Sequence, residues 1–364
     1  MVYPKESGER PRRARWPFAA VFTALAVAAL ANVSPDGHDG PAQPPSPVIA
    51  QMEWAPEWSI VRRAPGSDTW PVTWGDNGAL YTAYADGRGF RPFVERKLSQ
   101  GLARVRGGPA SPRGHNLRAP TFERRGNGPS GEKTSSLLMI DGTLYAFMRN
   151  ANGNGRHCRI GWSGDRGKTW QWAAWRFRRF GYCVFLNFGR DYAGARDDHV
   201  YVYSPDSPSA YRPADHMILM RVPKDELRHK ARYEFFAGQG DDGTPRWTDD
   251  VAQRRPVFGN PGNCLRSSVT YNPGIQRYLW WQQLPGSIEG IDTRFEGGFA
   301  VYDAPEPWGP WTTAYHTERW DVGPGETGTF PGKWIRDGGR TLHLVFSGDD
   351  HFSIRRARLR LHDD

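Results

Sequence analysis

Asp68-Thr-Trp-Pro-Val-Thr-Trp-Gly-Asp-Asn-Gly-Ala-Leu-Tyr-Thr-Ala-Tyr-Ala-Asp-Gly87 reads as a short apolar strand, a tight polar turn and a second, aromatic-rich strand. Asn77-Gly78 supplies the positive backbone angles that a tight hairpin needs. The unit recurs from Glu132 to Asn150, around the turn Asp141-Gly142. A third copy runs from Cys183 through a longer turn to Asp206, a fourth from Cys264 to Gln283, and a fifth from Glu326 to Asp350 around Gly338-Gly339. Starts lie roughly 50 to 80 residues apart, room for a four-stranded blade and a loop. The repeat predicts an all-β chain built as a five-bladed β-propeller, with a six-bladed, sialidase-like propeller as the alternative.

Composition agrees. Gly 42 and Pro 30 punctuate many short strands and would interrupt helices. Only Lys224 to Lys230 has a brief helical pattern. Ahead of the repeats, Arg10, Arg12, Arg13 and Arg15 precede an apolar run from Phe18 to Ala31 that ends in small residues, which reads as a signal peptide over 1–31. That run is short of the roughly 20 apolar residues of a membrane span. Residues 32–52, rich in Pro, Gly and Asp, read as a flexible linker, and 53–364 as the propeller. This organisation implies a secreted, periplasmic or cell-envelope protein with no membrane span after cleavage.

The formal net charge of +9 comes mostly from scattered arginines. With no lysine tract, helix-turn-helix or RNA-binding pattern, nucleic acid is set aside as a partner, and a polysaccharide or cell-envelope glycan fits better. Cys158, Cys183 and Cys264 lack metal-ligand spacing, and no histidine pair has zinc spacing. No cofactor or catalytic metal is implied. Cys183 and Cys264 occupy equivalent registers in adjacent repeats, so their side chains are expected to approach.

Ser163-Gly-Asp-Arg-Gly-Lys-Thr-Trp170 fits the Asp-box pattern S-x-D-x-G-x-T-W. Its physics is structural: Asp165 and Ser163 tie a hairpin turn to backbone donors, and Trp170 packs beneath.

In a propeller, each innermost strand starts at one face and the second strand returns to it. That face here receives Asp68, Asp86, Glu132, Arg149, Arg266, Glu326 and Asp349, while the Asn-Gly and Asp-Gly turns go to the other. Glycosidic cleavage needs one carboxylic acid for the leaving oxygen and one carboxylate as base or nucleophile. Asp68 and Glu326 open the first and last repeats, which are neighbours in a closed ring. They are read as the catalytic pair, Asp68 as base or nucleophile and Glu326 as general acid, with Glu132 or Asp349 setting their pKa values apart. Asp86, Arg149, Arg266 and Asp349 are read as substrate-binding, as is Trp308, whose ring in a proline-rich loop could stack on a sugar. Asp349-Asp350 also offers oxygen ligands of the kind structural Ca²⁺ takes. Each has a plainer reading: Asp68 as a loop cap, Glu326 as part of the turn Gly323-Pro-Gly, Glu132 as half of a surface pair, Trp308 as loop packing.

Gly66-Ser-Asp-Thr-Trp-Pro-Val-Thr-Trp74, Cys264-Leu-Arg-Ser-Ser-Val-Thr-Tyr-Asn272, Tyr302-Asp-Ala-Pro-Glu-Pro-Trp-Gly-Pro-Trp311 and Phe346-Ser-Gly-Asp-Asp350 resemble, in this order, motifs of the family called domain of unknown function 4185. The resemblance spans about Trp58 to Arg358. It implies a five-bladed propeller related to endo-acting arabinanases, hence a secreted glycoside hydrolase acting on an arabinan-type furanosidic glycan. It also places Asp68 at the position of the first-blade aspartate of such enzymes. The rival expectation is a non-catalytic carbohydrate-binding propeller at the cell surface.

Overall fold

A computed structural model describes residues 41–285, 297–322 and 326–364. The signal-peptide reading of 1–31, the first part of the linker reading (32–40) and the turn residues 323–325 lie outside the described residues.

The hairpins found by turn chemistry are the innermost pairs of antiparallel meanders. The first meander runs Val72–Trp74, Leu80–Tyr84, Gly101–Arg106 and Arg113–Leu117. The second runs Lys133–Ile140, Thr143–Arg149, Cys158–Ser163 and Gln171–Trp172. The third starts Val184–Asn187, His199–Pro205 and Ala214–Pro223, continuing to Glu234–Gln239 and Pro245–Thr248. The fourth runs Ser267–Asn272, Arg277–Gln283, Phe299–Ala304 and Thr312–Thr317. The last is Gly328–Thr329, Thr341–Phe346 and Phe352–Leu361, and Ile49–Trp54 supplies its outer strand.

The inner strands touch one another in chain order, the third and fourth through a parallel pairing, Leu186 with Val269 and Asn187 with Thr270. The cycle closes where the Trp70 backbone N–H reaches Thr327 Oγ1 at 3.4 Å. The architecture is therefore an all-β propeller, and the described residues contain five meanders.

Strands inside a meander are covered on both faces, whatever side chains they carry. Lys133–Ile140, Arg277–Gln283 and Phe299–Ala304 are buried along their whole length. Between meanders the filling is aromatic. The Trp70 ring meets Phe352 of the last meander edge-on at 5.2 Å, and Trp280 meets Tyr203 of the third at 4.9 Å. Each such pair is worth about 1 kcal/mol beyond the area it buries. The Trp70 contacts also anchor the strand entry that carries Asp68.

Asp141 and Gly142 both have positive φ, as a tight hairpin needs (47° and 70°). In the Ser163–Trp170 turn, Asp165 Oδ1 accepts from the backbone N–H of Lys168 (3.0 Å) and Thr169 (2.9 Å), and Oδ2 accepts from the Thr169 hydroxyl (2.6 Å). Burial works to raise the Asp165 pKa, but these hydrogen bonds outweigh it and lower the group to about 2. Its side chain is fully committed to the turn.

Three expectations are corrected. Residues 49–52, read as linker, belong to the strand Ile49–Trp54, because Ile49 and Met52 bury against the last meander. Residues 224–230 form turns with no α-helix, and only Lys230–Arg232 makes a single 3-10 turn. Cys183 adjoins Cys158 and not Cys264: its backbone N–H reaches Cys158 Sγ at 3.1 Å, while Cys264 Sγ lies against the Asn260 carbonyl. Cys264 ends a strand that pairs with Ala214–Pro223, and this holds it away from the Cys183 register. All three cysteines are free and buried.

Candidate active site

Strand direction collects the site. Asp68 enters the first inner strand, and its backbone exchanges hydrogen bonds with Ala85 (2.9 and 2.7 Å), which places Asp86 one residue beyond. Lys133 opens the second inner strand and pairs in register with Arg149, the last residue of the next. Arg266 precedes the fourth inner strand, and its carbonyl accepts from Gln283 N–H at 2.9 Å. Glu326 stands two residues ahead of the last inner strand. All are at one end, opposite the hairpin turns.

The backbone is strained beside Asp68. Thr69 has φ 55° and Asp86 φ 46°. For a β-branched residue this is a real outlier, costing about 1–3 kcal/mol. The Thr69 hydroxyl offsets part of the cost by donating to Asp68 Oδ1 at 2.9 Å. Gly66 and Ser67 donate their N–H groups to the Asp350 carbonyl (2.8 and 3.0 Å), tying the approach to the last meander.

The two carboxyls of the pair expected from sequence have different surroundings. Burial pushes the Asp68 pKa up to about 7, helped by the negative charges of Glu326 and Asp86 and opposed by Lys133 and the Thr69 hydroxyl. Glu326 Oε2 accepts from Arg266 Nη1 at 2.6 Å, both side chains being about nine-tenths buried. A guanidinium at that distance keeps a carboxylate ionised. Asp86 pairs with the buried Lys133 ammonium and more loosely with Lys97 at 3.5 Å.

Arginines and tyrosines complete the cluster. The guanidinium carbons of Arg149 and Arg266 each lie 5.4 Å from the centre of the Tyr211 ring, and that of Arg149 lies 5.6 Å from Tyr182. Asn150 Nδ2 donates to the Tyr211 hydroxyl at 2.9 Å.

The structure therefore brings Asp68, Asp86, Arg149, Arg266 and Glu326 together and leaves out three expected members. Glu132 is paired with Arg124 at 2.8 Å. Strand alternation sends its neighbour Lys133 inward instead, so Asp86 and Glu326 exert the influence on Asp68 expected of Glu132. Trp308 follows Phe299–Ala304 at the other end of its meander. It is buried against Tyr201 and Trp247 with Arg196 over its face at 4.5 Å, so its ring has no free side for a sugar. Asp349 is exposed in the 3-10 turn Gly348–Asp350, with a positive φ of 54°. Among the described residues no group of three His, Cys, Asp or Glu side chains is arranged to hold a metal, so Asp349-Asp350 has no third ligand of these types. Lys133, Tyr182 and Tyr211 are the members that sequence reasoning missed. Of these only Lys133, at the entry of an inner strand, carried a usable signal.

Grooves of about 550 Å³ beside Arg104, Arg106 and Arg113, and of about 480 Å³ beside Phe177, Arg179 and Tyr233, lie elsewhere. Neither is lined by the carboxyl cluster.

No family model matches the chain, and no curated protein matches it in sequence. Solved structures of similar fold include a GH43_1 enzyme from Xanthomonas citri, 12% identical, covering 83% of this chain and 91% of its own with a TM-score of 0.45. Another is the catalytic domain of Coprinopsis cinerea GH62 alpha-L-arabinofuranosidase, 11% identical, covering 89% and 98% with a TM-score of 0.46. Likeness at this level does not extend to chemistry, which rests on the geometry of the site.

Proposed function

We propose that the chain is a glycoside hydrolase cleaving a polysaccharide at the end of the propeller where Asp68 and Glu326 meet. The observation that carries the reading is the split between two buried carboxyls: burial and neighbouring charge favour the protonated form of Asp68, while Arg266 favours the ionised form of Glu326. A glycosidase needs one carboxyl in each state at the same pH.

The environments reverse the roles expected from sequence. Asp68 is the group that holds a proton near neutral pH and would give it to the leaving glycosidic oxygen. Glu326 would act as base or nucleophile, with Arg266 orienting its carboxylate. Asp86 and Lys133 adjust the proton affinity of Asp68. The resemblance noted in the sequence points to an arabinan-type furanosidic glycan, and the N-terminal segment to action outside the cytoplasm.

The test is release of new reducing ends from arabinan, xylan and bacterial-envelope glycans, with Asp68→Asn and Glu326→Gln as controls. Turnover on one substrate that both changes abolish supports the hydrolase. Binding to a glycan with no new reducing ends on any substrate assigns the chain to the carbohydrate-binding rival.

A further inference from the structure

The unused charge of the cluster is Arg149. It is 1% exposed, and its Nε and Nη1 are sealed from solvent without a hydrogen-bond partner. A guanidinium cannot shed its proton in a protein, and an uncompensated buried cation is costly. The nearby carboxyls are engaged elsewhere: Glu326 with Arg266, Asp86 with Lys133 and Lys97, Asp68 with Thr69. Lys133 and Arg266 add further positive charge around them.

Two more donors border the same tyrosine ring, that of Tyr211. Arg266 has a second nitrogen, Nε, that is buried and unbonded. The Tyr211 ring lies 5.4 Å from both guanidinium carbons. Its hydroxyl already accepts from Asn150, so its own proton is available to donate. Two guanidinium groups and a phenol around one ring, with no carboxylate assigned to the first of them, form a receptor for a planar anion.

We infer that Arg149, Arg266 and Tyr211 form a subsite for the carboxylate of an acidic sugar, so that the substrate carries a uronic acid residue beside the cleaved bond. This rests on the proposed hydrolase reading and replaces its neutral, arabinan-type substrate with an acidic glycan. A bound carboxylate would supply the counter-charge that Arg149 lacks, and its two oxygens match the fork of a guanidinium.

The experiment compares matched pairs that differ only at C6: methyl glucuronide against methyl glucoside, and methyl galacturonide against methyl galactoside. Binding is followed by ligand-observed NMR and titration calorimetry. At least one uronide should bind wild type about 10-fold or more tightly than its neutral partner, the preference expected of charge-assisted hydrogen bonds. Tyr211→Phe keeps the ring and should reduce the preference a few-fold, and Arg149→Met should abolish it. Equal binding within both pairs, or no binding of either uronide, overturns the inference on wild type alone, whatever the variants do. A preference unchanged in Tyr211→Phe and in a folded Arg149→Met also overturns it. The two readings fail separately: uronide preference without hydrolysis removes the hydrolase, and cleavage of a neutral glycan without uronide preference removes the subsite.

Discussion

Arg266 Nη1 donates to Glu326 Oε2 across 2.6 Å, joining residues 60 positions apart at the entries of two neighbouring inner strands. Losing one partner of a buried ion pair is far more damaging than the pair is stabilising. Arg266→Met should therefore lower the free energy of unfolding by about 3 kcal/mol in urea titrations. It should also cut turnover, because Glu326 loses the group that orients it and keeps it ionised. Unchanged stability would mean that the pair contributes little to the fold.

Asp68→Asn separates catalysis from folding. If Asp68 is the proton donor, turnover should fall at least about 100-fold with the fold intact, and wild-type turnover should decline as pH rises through about 7. Near-wild-type turnover in the folded variant ends the case for this residue.

The same variant tests the pH dependence of stability. A carboxyl whose pKa is raised from 3.8 to about 7 on folding gives stability that is complete below 3.8 and lost as pH climbs through 7. The amide does not titrate. Asp68→Asn should thus melt close to wild type at pH 4 and at least about 2 °C above it at pH 8. A melting difference that is flat with pH would show that Asp68 titrates normally.

Asp165 should give the opposite pattern. Its pKa is lowered, so its stabilising contribution is present above 3.8 and fades as pH falls toward about 2. Asp165→Ala should lower Tm by about 2–4 °C at pH 7, with turnover per folded molecule unchanged. The difference should narrow in acid. A loss of turnover at constant Tm would move this residue from structure to chemistry.

Cys158, Cys183 and Cys264 should react with a thiol reagent only after unfolding, since all are free and buried. Burial also pushes the Cys183 and Cys264 thiols up, which keeps them protonated and slow to react. Fewer thiols in denaturant without reductant than with it would reveal a disulfide, and Cys158 with Cys183 would be the pair to examine first.

Much of this was legible in the sequence because it rests on local rules. Turn residues such as Asn77-Gly78 and Asp141-Gly142 marked the hairpins, and hairpin direction then gathered Asp68, Asp86, Arg149, Arg266 and Glu326 at one end. What could not be read depends on side-chain orientation or distant pairing. Glu132 and Lys133 are adjacent, and the register shift between Thr134 and Ser136 unsettles any count of which one points inward. Tyr182 and Tyr211 lie outside the strands and obey no period. Proline told that the Trp308 loop is stiff, but not which side of the ring it covers. The strand Ile49–Trp54 follows a proline-rich stretch and finds its partner some 300 residues away, beyond any local pattern.

That last pairing has a consequence for how the molecule is made. Met52 lies opposite Leu359, and Trp54 opposite Ala357, so the first strand of the fold must wait for the last before it has a hydrogen-bonded partner. During synthesis the ring stays open until the segment around Phe352–Leu361 leaves the ribosome, and until then the aromatic seam of Trp70 with Phe352 is wet. Clipping the chain before Ala55 would strip a finished molecule of its latch. It would also turn Ala357–Leu361 into a bare edge, the kind of surface on which β proteins stick to one another.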